Sequence, residues 1–155
     1  MLHRTLILLF LSLASMQAAL FELKFNNLKP SLSRLSPEET KIVDRSIGLI
    51  RKGENTLALA QLSTLSKANP SNSALQVLMS YALLQIGNKL GAFDAAKQAE
   101  ASPDHTGYVC YFFAKVAFLT GDSATCKREI AHVKSLGLHK KEIKELESEV
   151  EKSGQ

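Results

Sequence analysis

The chain has 155 residues, 45% of them hydrophobic, which is enough to bury the core of one domain. Its 19 lysines and arginines against 15 aspartates and glutamates give a net charge of +4. An excess this small does not single out nucleic acid as a partner. We therefore expect a solvated basic face and no nucleic-acid binding.

The first twenty residues have the pattern of a secretory signal peptide. His3 and Arg4 precede an uncharged, leucine-rich run over residues 5–20 that closes with small residues. We expect residues 1–19 to be removed and the mature protein to be secreted, periplasmic or otherwise extracytoplasmic. The alternative is an uncleaved membrane anchor formed by residues 5–20, although this run is slightly short for a bilayer core about 30 Å thick.

Residues 20–35, which we call the arm, show no helical period. Phe21, Leu23 and Phe25 alternate with polar residues, and Pro30 follows two asparagines that interrupt the alternation. The pattern predicts an extended segment. It is either a flexible linker or an arm whose two phenylalanines dock on the folded domain.

Three glycines, Gly53, Gly87 and Gly121, are separated by 34 residues each (87 − 53 and 121 − 87). Each glycine ends an apolar helical run and is followed by a polar residue, so each indicates a turn between two helices. The positions seven before and five after each glycine are small, which lets two antiparallel helices approach closely. These facing pairs are Ser46 with Ala58, Ser80 with Ala92, and Ala114 with Cys126.

The predicted repeat domain covers residues 36–152. Its first helix begins at Ser36-Pro37-Glu38-Glu39, where Ser36 is the N-cap and Glu39 is placed to complete a capping box. Its last helix, from about His139 to Glu151, has one narrow apolar face. We expect this helix to cover the end of the array, since a stack of repeats leaves its last apolar face open.

The period, the turn glycines, the small residues and the prolines at 70 and 103 resemble the tetratricopeptide repeat (TPR) over residues 39 to 138. The resemblance implies an all-α, right-handed superhelical stack of three antiparallel hairpins with a C-terminal cap helix. It also implies a concave groove, lined by the first helix of each hairpin, that binds peptides. The groove residues would be Val43, Ile47, Val77, Tyr81, Tyr108, Tyr111 and Lys115.

The projected groove is apolar and aromatic. Val43 and Ile47 stand where members of the family that grip a C-terminal carboxylate carry lysine and asparagine, so we do not expect a carboxylate clamp. An apolar or aromatic segment of another protein is the expected ligand. Part of this set could equally belong to the core between helices, because most apolar stripes are core.

No recognisable catalytic, phosphate-binding or metal-binding motif is present, so we expect no enzyme activity, no cofactor and no metal site. His105, His132 and His139 are scattered along the sequence. Cys110 and Cys126 could pair in an oxidising compartment, but their expected separation is borderline for a bridge, and two buried thiols are favoured.

Two functions fit these expectations. The first is a non-enzymatic protein-protein interaction module outside the cytoplasm, such as an adaptor, assembly factor or chaperone-like protein. The second is a membrane-tethered structural scaffold or oligomerisation unit without a peptide ligand.

Overall fold

The computed structural model describes residues 22–154, and within that range every regular element is a helix. A 3-10 turn, Phe25–Leu28, leads directly into the short helix α1, Lys29–Leu32. Seven longer helices follow: α2 Pro37–Arg51, α3 Asn55–Ala68, α4 Ser73–Gln85, α5 Lys89–Ala101, α6 Gly107–Thr120, α7 Ser123–Ser135 and α8 Lys140–Ser153.

Consecutive helices pack as three hairpins, α2 with α3, α4 with α5, and α6 with α7. Gly53, Gly87 and Gly121 lie at the three turns with φ of 79°, 80° and 89°, a left-handed backbone that favours glycine. The prediction of an all-α stack of three helical hairpins followed by a further helix is confirmed.

Side-chain caps explain several of the helix starts. Ser36 and Glu39 form the expected capping box at the start of α2. Asn88 and Asp122, which follow turn glycines, accept hydrogen bonds from the backbone N–H groups of Gly91 and Thr125 at 2.9 and 3.0 Å. Glu54, which follows the first turn glycine, makes no such bond with its side chain.

The buried side chains of the helical stack form two hydrophobic clusters. The first joins the arm, the first two hairpins and one side of α6, with Leu62, Leu75, Leu78 and Phe112 fully buried. The second lies between α6, α7 and α8 and consists of Cys110, Ala114, Ala117, Cys126, Ile130, Val133, Ile143, Leu146 and Val150. The last helix therefore buries its narrow apolar face against the third hairpin.

The prediction that residues 20–35 are extended is wrong for the residues described, because they contain a 3-10 turn and a helical turn. Pro30 occupies the first turn of α1, where its fixed φ and missing N–H are tolerated. A single turn is too short to show a hydrophobic period in the sequence. Residues 1–19, with the predicted signal peptide, and Phe21 lie outside the described residues. Among residues 22–154, no helix is long and apolar enough to cross a membrane.

Candidate functional site

The predicted groove residues lie on α2, α4 and α6, and six of the seven belong to the first hydrophobic cluster or pack against it. Val43, Val77 and Tyr108 are buried, whereas Ile47, Tyr81 and Tyr111 are half-buried. The seventh residue, Lys115, is also buried and forms an ion pair with Glu149 of α8. Four of the seven predicted groove positions are therefore buried, as residues of the core between helices would be.

The arm packs against several of the predicted groove residues. Leu23 and Leu28 are 4% and 2% exposed and belong to the same cluster as Val77 and Tyr108. Phe25, one of the two phenylalanines expected to dock, is half-buried, and the Arg51 guanidinium lies over its ring, 4.9 Å from the centroid. The leucines are thus the more deeply buried anchors, and the sequence pattern had drawn attention to the phenylalanines instead.

The arm tip, residues 22–28, is fastened by few polar contacts. The backbone N–H of Lys24 donates a hydrogen bond of 2.9 Å to the phenolic oxygen of Tyr108. The ammonium group of Lys24 forms an ion pair with Glu142 at the start of α8. The hydrogen bond from Lys24 lowers the pKa of Glu142, and the same contact raises the pKa of Lys24.

The arm base, residues 29–35, is held by buried hydrogen bonds. The hydroxyls of Ser31 and Ser73 lie 3.0 Å apart, and the side-chain N–H of Asn72 donates to the carbonyl oxygen of Ser31 at 2.9 Å. Asp104 accepts a hydrogen bond of 2.9 Å from the backbone N–H of Ser73 and lies 3.9 Å from the guanidinium of Arg34. The base is therefore anchored to the start of α4 by partners that exclude water.

Three rings meet beside the arm tip. The ring of His139 lies 5.8 Å from that of Tyr108 and 5.9 Å from that of Tyr111, measured between centroids. Burial raises the pKa of Tyr111 to about 12 and also raises the pKa of Tyr108. Both phenols therefore stay neutral near pH 7, as suits hydrogen bonding and packing rather than acid-base chemistry.

A cleft of about 430 Å³ opens beside the arm tip. Its lining combines apolar and polar side chains: Glu22, Leu23, Phe25, Ile50, Arg51, Gly53, Asn55, Tyr81 and Gln85. The side-chain oxygen of Asn55 is buried there without a hydrogen bond from the described residues. Of the seven predicted groove residues, Tyr81 alone lines this cleft.

Both cysteines have free, buried thiols in the structure. Burial raises the pKa of Cys110 to about 11 and raises that of Cys126 as well, so both are protonated near pH 7. Cys110 lies beside Glu129 and His132 of α7 and Glu100 of α5. Sequence reasoning missed this group because its members come from three helices, and only the three-residue spacing of Glu129 and His132 could have pointed to it.

Comparison with known proteins gives no family assignment, since no protein-family model matches the chain and no curated protein matches it.

Proposed function

We propose that this chain is a non-enzymatic, TPR-type interaction module that acts outside the cytoplasm and binds an apolar or aromatic segment of a partner protein in its groove. The observation that carries the proposal is the arm itself. A short segment of polypeptide buries two leucines among the groove residues and donates a backbone hydrogen bond to Tyr108. The partner segment would take the place of the arm tip.

The arm tip indicates what such a segment must offer. Leu23 and Leu28 enter the cluster from positions five residues apart, and Lys24 faces the carboxylate of Glu142. A ligand with two apolar side chains at similar spacing and a basic residue beside the first of them would repeat these contacts. This is recognition of a short segment by apolar pockets and a main-chain hydrogen bond.

The arm base and the arm tip are held by different contacts, and this difference supports displacement of the tip by a partner segment. The base is held by buried hydrogen bonds to Asn72 and Ser73, which are costly to break. The tip is held mainly by its two leucines, each contributing about 1.5–3 kcal/mol through burial, and by an ion pair whose lysine side chain is 49% exposed. A partner would need to offset about 3–6 kcal/mol to displace the tip.

The second candidate is a structural helical array, tethered to a membrane through residues 5–20, whose groove stays closed. It is favoured by the burial of Val43, Val77, Tyr108 and Lys115, which are among the seven groove residues. In that case the arm is a permanent part of the core. The two candidates differ in whether the arm tip leaves the groove.

The variant Leu23→Asp in the full chain tests the exchange, because it places a charge where the tip is buried. Its matched control is Leu90→Asp, at a position 74% exposed on α5. The probe is a fluorescent synthetic peptide with the sequence of residues 21–28, because the arm base of the variant still occupies its own binding site. We expect the peptide to bind Leu23→Asp at least about tenfold more tightly than the wild type or the control, because the tip no longer competes.

Equal peptide binding by all three proteins, with the fold intact by circular dichroism, would favour the closed structural array. If Leu23→Asp instead binds the peptide more tightly, mass spectrometry of the proteins retained by this variant and by the wild type would identify natural partners of an open groove. The N-terminal residue of the mature protein addresses the compartment: a chain beginning near Leu20 supports export, and an intact Met1 in the membrane fraction supports the tether.

A further inference from the structure

Four side chains with metal-binding atoms meet where the second and third hairpins pack together. Glu100 lies on α5, Cys110 on α6, and Glu129 and His132 on α7. One carboxylate oxygen from each glutamate, the Cys110 sulfur and a His132 ring nitrogen all lie within 4.8 Å of one another. This cluster is separate from the groove residues and from the arm.

Glu129 carries an unexplained polar atom in this cluster. Its side chain is 4% exposed, and its Oε1 atom accepts from the guanidinium of Arg128 at 2.8 Å. Its Oε2 atom is buried and receives no hydrogen bond from any residue between 22 and 154. This oxygen lies 3.8 Å from Nδ1 of His132, which is another member of the cluster. A buried carboxylate oxygen without a partner is costly, so a group that binds it would stabilise the fold.

We propose that Glu100, Cys110, Glu129 and His132 bind one Zn²⁺ ion. Sulfur, imidazole nitrogen and carboxylate oxygen are the donor types that zinc accepts together, whereas calcium and magnesium prefer oxygen alone. Four protein ligands make a closed, structural site with no open position for a substrate. Binding forms a zinc–sulfur bond and releases the thiol proton of Cys110 to water.

Binding requires the four ligand atoms to move closer together. Ligand atoms about 2.0–2.3 Å from zinc in a tetrahedron are about 3.3–3.6 Å apart, so the group needs to contract from its present limit of 4.8 Å. The His132 side chain is 41% exposed and free to turn, while Cys110 is fully buried. A metal ion would therefore reach the cluster from solvent on the side of His132, and Cys110 would coordinate it from the buried side.

The ion would add a link between two hairpins of the stack. Glu100 belongs to the second hairpin, whereas the other three ligands belong to the third. A shared ion would therefore hold the relative position of two hairpins, and it would stabilise the folded state by an amount that rises with the logarithm of the free ion concentration above its Kd. This inference concerns a structural site and is independent of the proposed groove function.

The test uses the full chain, reduced and stripped of metal, titrated with Co²⁺ as an absorbing substitute and then with Zn²⁺. We expect one equivalent of Co²⁺ to bind with a thiolate-to-cobalt absorption band, which Zn²⁺ then abolishes by displacement. We also expect added Zn²⁺ to raise the melting temperature. The band reports coordination by a cysteine, which nonspecific binding to surface carboxylates would not produce.

Two ligand variants have matched controls elsewhere in the chain. Cys110→Ser and His132→Gln should lose the band or bind at least about 100-fold more weakly, since changes to outer residues already cost 10–100-fold. Cys126→Ser and His105→Gln should behave as the wild type, because neither residue belongs to the cluster.

His132→Gln decides the outcome if Cys110→Ser fails to fold, because position 132 is half-exposed and tolerates glutamine. Wild-type binding by His132→Gln would overturn the proposal. So would the absence of a thiolate band in the wild-type titration, which would leave Glu129 and His132 as neighbouring side chains without a metal.

Discussion

The hydroxyl of Ser80 donates a hydrogen bond of 2.6 Å to the backbone carbonyl oxygen of Ala92, and both residues are fully buried. A side chain reaches the backbone of the neighbouring helix directly, so α4 and α5 are in close contact at this point. Neither position has room for a larger side chain without separating the helices.

Replacing Ala92 with leucine should therefore destabilise the protein. We expect a loss of about 1–3 kcal/mol in the free energy of unfolding, because added methylene groups force α4 and α5 apart. The matched control is Ala60→Leu, the same change at an exposed position of α3, with an expected effect within about 0.5 kcal/mol. Thermal and urea unfolding measure both. Equal melting temperatures for the two variants would contradict the close contact.

The hairpins could be predicted from the sequence because their determinants are local. The 34-residue spacing of Gly53, Gly87 and Gly121 identifies the turns, and Ser36, Asn88 and Asp122 each cap a helix in the structure. The final helix was also predictable, since Ile143, Leu146 and Val150 share one face. In each case the residues that indicate a turn or a helix lie within that element or directly beside it.

The arm and the cluster around Glu129 could not be predicted in the same way, because their contacts join distant parts of the chain. The bond from Lys24 to Tyr108 spans 84 residues. The alternation that includes Leu23 predicts an extended segment, and Leu28 lies outside that alternation, so the sequence does not show that both leucines are buried. Similarly, Cys110 meets Glu129 only because α6 and α7 fold back on each other.

The conformation of Gly121 offers a test of the repeat turns. With φ of 89°, the position favours glycine although the space around a Cβ would be open. We expect Gly121→Ala to cost about 1–2 kcal/mol of stability through backbone strain alone. Gly48→Ala is the control, because Gly48 lies within α2 with open space around it and should gain about 0.5–1 kcal/mol. Chemical denaturation that moves both variants in the same direction would contradict this account.

The ion pair between Lys115 and Glu149 joins α6 to the last helix, and its two ends differ in exposure. The lysine side chain is 6% exposed and the glutamate side chain 44%. Removing the acid with Glu149→Ala leaves a buried charge unpaired, at a cost of about 1–3 kcal/mol.

Replacing the base with Lys115→Met removes the buried charge and keeps an apolar stem, so we expect little or no loss. We therefore expect a lower free energy of unfolding for Glu149→Ala than for Lys115→Met. The reverse order would mean that the charge of Lys115 itself, and not its pairing, stabilises the contact with the last helix.

The stability of the docked arm tip should depend on pH. The hydrogen bond from Lys24 lowers the pKa of Glu142 below its ordinary value of 4.5. A group with a lowered pKa in the folded state stabilises that state above its ordinary pKa, and the stabilisation is lost as the pH falls through the lowered value. The stabilisation linked to the raised pKa of Lys24 is fully present below its ordinary value of 10.5 and is lost only as the pH rises above that value, so it does not change in the acidic range. The ion pair should therefore hold the arm tip near neutral pH and weaken below about pH 4.5.

Hydrogen exchange at the Lys24 amide measures this directly, because that N–H donates to Tyr108 and is protected only while the tip is docked. We expect its protection factor, corrected for the intrinsic rate, to fall between pH 6 and pH 3.5, by a modest amount because the lysine is half-exposed. Glu142→Gln should lower the protection at pH 6 and remove most of the dependence on pH. Glu145→Gln, which changes an exposed neighbour on α8, should keep the wild-type profile. If Glu142→Gln also keeps that profile, the carboxylate of Glu142 does not fasten the arm tip.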